Sequence, residues 1–213
     1  VVHGIAVGAT VVLAARGWLG WAFIAVAIGT IAVAVNARSR QPLLSALGVA
    51  YVGIPAIALI WLRGADAFGA FAILFVFVIV WTTDTFAYLC GRMIGGPKLW
   101  PALSPGKTWA GTIGGLAFAA LAGALFTGLI APPTAPLALA ASAIALSIVS
   151  QIGDLAESAL KRAFAVKNAS SLIPGHGGFM DRMDGIVTAA TLAALLAAIR
   201  GAVSPGQALL LWS

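Results

Sequence analysis

The chain has 213 residues, 62% of them hydrophobic and only 8% charged, and its mean hydropathy is +1.06. A soluble domain carries about 25% charged residues, so this composition excludes a water-facing surface over most of the molecule and implies a membrane protein. The net charge of +6 reads as Lys and Arg facing anionic lipid rather than nucleic acid, and the single cysteine, Cys90, excludes an intramolecular disulfide and a metal–thiolate centre.

A transmembrane helix needs roughly 20 apolar residues. Taken in chain order, apolar runs predict spans at 3–15, 18–35, 43–62, 68–90, 109–130, 136–160 and 185–199. The first is short, and no Lys or Arg precedes Ile5, so a signal-peptide n-region is not expected there. It reads as the remainder of a longer N-terminal region or as one arm of a tight helical hairpin. The expected fold is therefore all-α: a polytopic membrane bundle of about seven helices. Residues 1–66 are expected to form N-terminal membrane helices, and residues 67–213 a second membrane domain with loops at 91–108 and 161–184. Gly and Ala are abundant within the runs, as close helix packing in lipid requires. Trp18, Trp61, Trp100 and Trp212 lie near run ends, where interfacial anchors belong.

Positive charge orients the bundle. Breaks after the second, fourth and sixth runs contain Arg38, Arg40, Arg92, Lys98, Lys107, Lys161, Arg162, Lys167 and Arg182, whereas the alternate side holds only Arg16, Arg63 and Arg200. The first set is expected to be cytoplasmic.

The most informative stretch runs from Asp154 to Gly185. It holds Asp154, Glu157, Asp181 and Asp184, four of the six acidic residues, together with Lys161, Arg162, Lys167 and Arg182. Ionisable groups at membrane depth are costly and mark function. Asp154, Glu157, Ser158 and Lys161 share one helical face, and Asp181 and Asp184 lie one turn apart. Two such acidic clusters brought together suit a divalent metal, the cations suit phosphate, and Pro174-Gly175-His176-Gly177-Gly178 offers bare backbone amides. These are the parts of phosphoryl or nucleotidyl transfer. Taken singly, Asp181 and Asp184 equally fit helix capping, Glu157 and Lys161 an i,i+4 pair, and Lys161 and Arg162 ordinary flanking charge.

Ser158-Ala-Leu-Lys161-Arg162, then Lys167, then Ile173-Pro174-Gly175-His176-Gly177-Gly178-Phe179-Met180-Asp181-Arg182-Met183-Asp184 resembles the signature of the phosphatidate cytidylyltransferases, or CDP-diglyceride synthetases. Trp81-Thr-Thr-Asp84-Thr-Phe-Ala-Tyr88, Gly91-Arg92, Leu103-Ser104-Pro105-Gly106-Lys107-Thr108-Trp109-Ala-Gly111 and Gln151-Ile-Gly-Asp154-Leu-Ala-Glu157-Ser158 are similar to that family's preceding segments. The resemblance covers roughly residues 80–190. It departs at Asn168, where the family usually carries Asp, so Asn168 is not expected to bind metal.

The resemblance implies transfer of a cytidylyl group from CTP to phosphatidic acid, giving CDP-diacylglycerol and pyrophosphate. It implies Mg²⁺ on Asp154, Asp181 and Asp184, and K⁺ as a second ion. Lys161 and Arg162 join these acids in catalysis. Lys167, His176, Gly177, Gly178, Arg182, Ser104, Lys107 and Asp84 are expected to bind substrate. A homodimer in the inner (plasma) membrane, surrounded by membrane lipids and with its site facing the cytoplasm, is also implied.

Gly106-Lys107-Thr108 resembles the tail of a P-loop, but Pro101 stands where Gly is required and no strand is expected before it. A CTP-dependent polyprenol or isoprenoid kinase, or an ether-lipid cytidylyltransferase, would share the substrate chemistry. A CDP-alcohol phosphotransferase does not fit, because Asp184-Gly185 is followed by Ile186 to Ala189. An ion-coupled transporter using Asp84 and Asp154 would require duplicated broken spans, and one dense polar block is found instead. Asp84 inside an apolar run reads as a site residue, or as a structural acid held by its neighbouring threonines or by Arg92.

Overall fold

The computed structural model describes residues 1–36, 41–130, 134–163 and 183–212. Its helices are α1 (Val2–Ala15), α2 (Leu19–Asn36), α3 (Pro42–Arg63), α4 (Ala67–Met93), α5 (Trp109–Phe126), α6 (Pro136–Ala163), α7 (Asp184–Arg200) and α8 (Pro205–Leu210). A turn of 3₁₀-helix (Thr127–Leu129) extends α5, and an antiparallel hairpin, β1 (Lys98–Trp100) with β2 (Ser104–Thr108), joins α4 to α5. Each expected apolar run is a helix. Five of them, α2 to α6 with the 3₁₀ turn, are long and apolar enough to cross a membrane. With 14 and 17 residues, α1 and α7 fall short of the roughly 20 that a full span needs. The chain is a multi-pass helical membrane protein, with five long apolar helices and the shorter α1 and α7 among the described residues.

Burial follows from the solvent such helices meet. Large apolar side chains such as Phe23, Ile31, Leu74, Trp81 and Leu125 stay exposed, as a lipid-facing surface permits. One core joins α3 to α8 through Leu62, Phe75, Ile79, Leu139, Leu146, Ile186 and Leu209. Two smaller clusters, around Ala6, Val33 and Val49 and around Ala14, Val26 and Ile57, seat α1 and α2 on α3.

Small residues set how closely the helices approach. Gly111, Gly115, Ala119 and Gly123 recur every fourth residue along α5 and are all buried. A Cβ on Gly111 would lie 2.5 Å from the Ala87 carbonyl oxygen of α4, and one on Gly123 would lie 2.6 Å from Ala143 Cβ of α6. Helix α5 is thus held against both neighbours near backbone-contact distance. Polar side chains fasten the rest: Thr83 of α4 donates to Ile79 O and contacts the Ser147 hydroxyl of α6, both at 2.8 Å, and Thr188 of α7 donates to Val149 O of α6 at 3.1 Å.

The alternation of helices leaves two distinct ends. At one, Gln41 at the start of α3 donates to Ala163 O at the end of α6 (3.1 Å). The described cations of the larger charge set, Arg92, Lys98, Lys107, Lys161 and Arg162, belong to this end. At the other lie Arg16, Arg63 and Arg200. There α8 closes the bundle: Thr134 donates to Leu210 O at 2.9 Å, and Arg200 donates to Ala208 O and Leu211 O. Trp212, expected only as an interfacial anchor, is stacked by the Arg200 guanidinium 3.6 Å from its ring centroid.

The hairpin corrects one expectation. Gly106, Lys107 and Thr108 lie within β2 and run directly into α5, and β1 precedes them. No loop separates strand from helix, so a phosphate-cradling P-loop is not formed, although a strand is present.

Candidate functional site

Two of the cavities among the described residues differ in chemistry. The larger, about 790 Å³, lies at the Arg16–Arg63 end, and its remaining walls are formed by apolar side chains and glycines. The other, about 560 Å³, opens at the hairpin end. Asp84, Tyr88 and Arg92 of α4, Lys98, Ser104 and Lys107 of the hairpin, and Gln151 and Asp154 of α6 line it. A concave site with convergent polar groups is where ligand chemistry belongs, and of these two it is the second that gathers them.

Local structure fixes Lys107. It is the residue before Thr108, whose side chain caps α5 by accepting from the Gly111 amide at 3.1 Å. Position 107 is thereby held between a strand and a helix start. Its ammonium lies 2.5 Å from Asp154 Oδ2 and 3.4 Å from Gln151 O, bridging the hairpin to α6. On the opposite wall Arg92 donates to the Tyr88 hydroxyl at 2.7 Å, an i,i+4 contact along α4. Asp84 is open to the cavity, and Thr82, Thr83, Thr85 and Arg92 make no hydrogen bond to it.

Behind this cavity stand three carboxylates. Oxygens of Asp154, Glu157 and Asp184 lie within 4.8 Å of one another. Helical spacing brings Asp154 and Glu157 onto one face of α6, and Gly153 lets α7 approach, since a Cβ there would collide with Thr188. Gly185 N–H donates to Asp184 Oδ1 at 2.7 Å, orienting that carboxylate. Glu157 is only 4% exposed. Its Oε2 pairs with Lys161 at 2.6 Å, and its Oε1 has no hydrogen-bond partner among the described residues. Like charges this close need a cation or a shared proton between them. Hard oxygen donors from two helices fit a divalent cation.

The expected residues thus fall into three groups. Asp84, Ser104, Lys107 and Asp154 share the cavity; Asp154 also joins Asp184 in the acidic cluster. Lys161 and Arg162 end α6 behind that cluster. Lys167, His176, Gly177, Gly178, Asp181 and Arg182 lie outside the described residues. For Glu157 the sequence offers both an acidic cluster with Asp154 and a pair with Lys161, and the structure has both. Its three-residue spacing from Asp154 was the available signal. Arg92, Tyr88, Lys98 and Gln151 were not expected in the site, because the hairpin fold that gathers them has no sequence period.

The model of the cytidylyltransferase family matches residues 2–200 of the chain. The chain belongs to that family. Among similar proteins, the phosphatidate cytidylyltransferase of Brucella abortus biovar 1 (strain 9-941) is 51% identical over 154 residues, 72% of this chain and 57% of the relative. That of Staphylococcus aureus (strain COL) is 42% identical over 147 residues, covering 65% of this chain and 52% of the relative. That of Bacillus subtilis (strain 168) is 38% identical over 138 residues, covering 65% and 51%. The chain spans about half the length of the curated relatives it matches. In this cytidylyltransferase-family chain, the polar cavity and the acidic cluster both lie inside the matched range.

Proposed function

We propose that the protein transfers a cytidylyl group from CTP to phosphatidate, forming CDP-diacylglycerol and pyrophosphate in phospholipid biosynthesis. The observation that carries the reading is the junction at Asp154, where a cation-lined cavity meets a half-buried carboxylate cluster at one end of an apolar bundle. Family membership and the names of the relatives support the substrates.

A phosphatidate oxygen bonds to the α-phosphorus of CTP while the bond to the pyrophosphate oxygen breaks. That oxygen is already anionic at neutral pH, so no strong base is needed, and positioning with charge neutralisation carries the catalysis. Lys107, Lys98 and Arg92 receive the triphosphate, Tyr88 orients Arg92, and the Ser104 hydroxyl and Asp84 offer hydrogen bonds to the nucleotide. In our reading Lys161, Arg162, Lys167 and Arg182 neutralise further phosphate charge, and His176, Gly177 and Gly178 shape the nucleotide loop. Asp154, Glu157 and Asp184, with Asp181, would hold Mg²⁺, and K⁺ is assigned as a second ion; bound there, the metal neutralises charge on the triphosphate and the departing pyrophosphate. The exposed Leu89, Met93 and Ile94 at the end of α4 offer the acyl chains an apolar approach.

Residues 67–213 carry the catalysis in this reading, and residues 1–66 are supporting helices. The site faces the cytoplasm of the inner membrane, and the protein works as a homodimer. Incubation of the purified full chain with CTP, phosphatidate and Mg²⁺ tests the reaction. Pyrophosphate and a CDP-lipid in equal amounts are expected; CDP and a lipid phosphate would point to a kinase and overturn it.

A further inference from the structure

Asp154 belongs to two arrangements at once. Its Oδ2 is held by the Lys107 ammonium at 2.5 Å, while the same carboxylate lies within 4.8 Å of Glu157 and Asp184 oxygens. Lys107 is tethered through β2 and the capped start of α5, yet its side chain borders the open cavity and is 22% exposed. A flexible four-carbon stem ending in a compact charge can leave one partner for another without moving the backbone.

We propose that Lys107 is a built-in competitor for the metal-binding carboxylate. Paired with Asp154, the ammonium neutralises one of the crowded acids; a divalent cation drawing on Asp154 would free that ammonium to meet the anionic substrate in the cavity. Lys107 thereby acts as a positioning residue that couples occupancy of the acidic cluster to the charge of the cavity. The inference rests on the acidic cluster being the metal site, and deepens that reading.

Two measurements on the full chain in detergent test it, with Mn²⁺ as the probe. First, Mn²⁺ affinity is measured without nucleotide from the free-ion electron paramagnetic resonance signal. Lys107→Met is expected to bind Mn²⁺ roughly fivefold more tightly than the parent, the scale of a partly exposed ion pair, while Lys107→Arg stays near the parent. Arg92→Gln, which removes a cavity charge not in contact with Asp154, is expected to change affinity by less than about twofold in moderate salt. Second, the Lys107 amine is acetylated and quantified by peptide mass spectrometry. Mn²⁺ is expected to speed its modification severalfold in the parent, and Asp154→Asn is expected to modify fast with or without Mn²⁺.

Equal Mn²⁺ affinity in Lys107→Met and the parent, or Lys107 acetylation unchanged or slowed by Mn²⁺, would overturn the competition while leaving the metal site standing. Mn²⁺ binding that survives Asp184→Asn and Glu157→Gln, or that is absent from the parent, would overturn the metal site itself, and the competition with it.

Discussion

Glu157 shows how a residue's neighbours decide its role. Nearly enclosed and shared between Lys161 and two other carboxylates, it would be an expensive way to hold one lysine. Glu157→Gln is expected to weaken Mn²⁺ binding by at least the roughly 10–100-fold that even outer partners of metal ligands are worth. Removing one of three crowded charges should leave the metal-free melting temperature unchanged or raised. A lowered melting temperature with unchanged Mn²⁺ affinity would mean that Glu157 serves Lys161 alone. The sequence exposes this residue through its spacing from Asp154, but spacing within one helix leaves Asp184 out. Only the approach of α7 across Gly153 brings the third acid in.

At the level of elements, apolar runs translate directly into helices, because in lipid every backbone group must be bonded within its own segment. The hairpin is not legible in the same way. Lys98–Trp100 is only three residues long, and Ser104–Thr108 contains Pro105 and Gly106, so neither shows a strand period. Helix α8 has six residues and takes its meaning from the bundle end it seals. Packing along α5 gives a sharp expectation. Gly111→Leu would force a side chain against the Ala87 carbonyl, and overpacking of this kind costs about 1–3 kcal/mol. Melting in detergent should fall by several degrees. The mutation should also disturb the cavity, since Thr108 and Gly111 hold the hairpin. At the opposite end Asp66 caps α4, accepting from the Gly69 amide at 2.9 Å. The Ser204 hydroxyl first, then that amide and Arg63, hold its carboxyl below the usual aspartate range. A folded pKa below the unfolded one stabilises the fold above the unfolded value, and the contribution is lost as pH falls through the folded value. Asn caps nearly as well without titrating. The melting-temperature advantage of the parent over Asp66→Asn should therefore be present at pH 7 and shrink as the solution is acidified below the aspartate range.

Across the whole molecule, the bias of Lys and Arg and the disposition of the helix ends agree. Polar chemistry gathers at the end carrying Lys98, Lys107 and Lys161, and the other end is closed by α8 and the Arg200–Trp212 stack. With Cys90 replaced by Ala, a cysteine at position 98 should react with an impermeant thiol reagent from the cytoplasmic side only, and one at position 63 from the opposite side. What the sequence leaves open is how the separate polar segments meet, because that depends on which helices lie side by side. Asp84, Lys107 and Asp154 are far apart along the chain and share one cavity only because α4, the hairpin and α6 converge. That convergence, with Asp154 at its centre, is the core of the functional account. Its most direct test is the rate of CDP-diacylglycerol formation from CTP and phosphatidate by Asp154→Asn, with melting and elution behaviour matched to the parent. A loss of about 10²–10³-fold is expected, the scale of removing one essential electrostatic group. A rate equal to the parent's would contradict it.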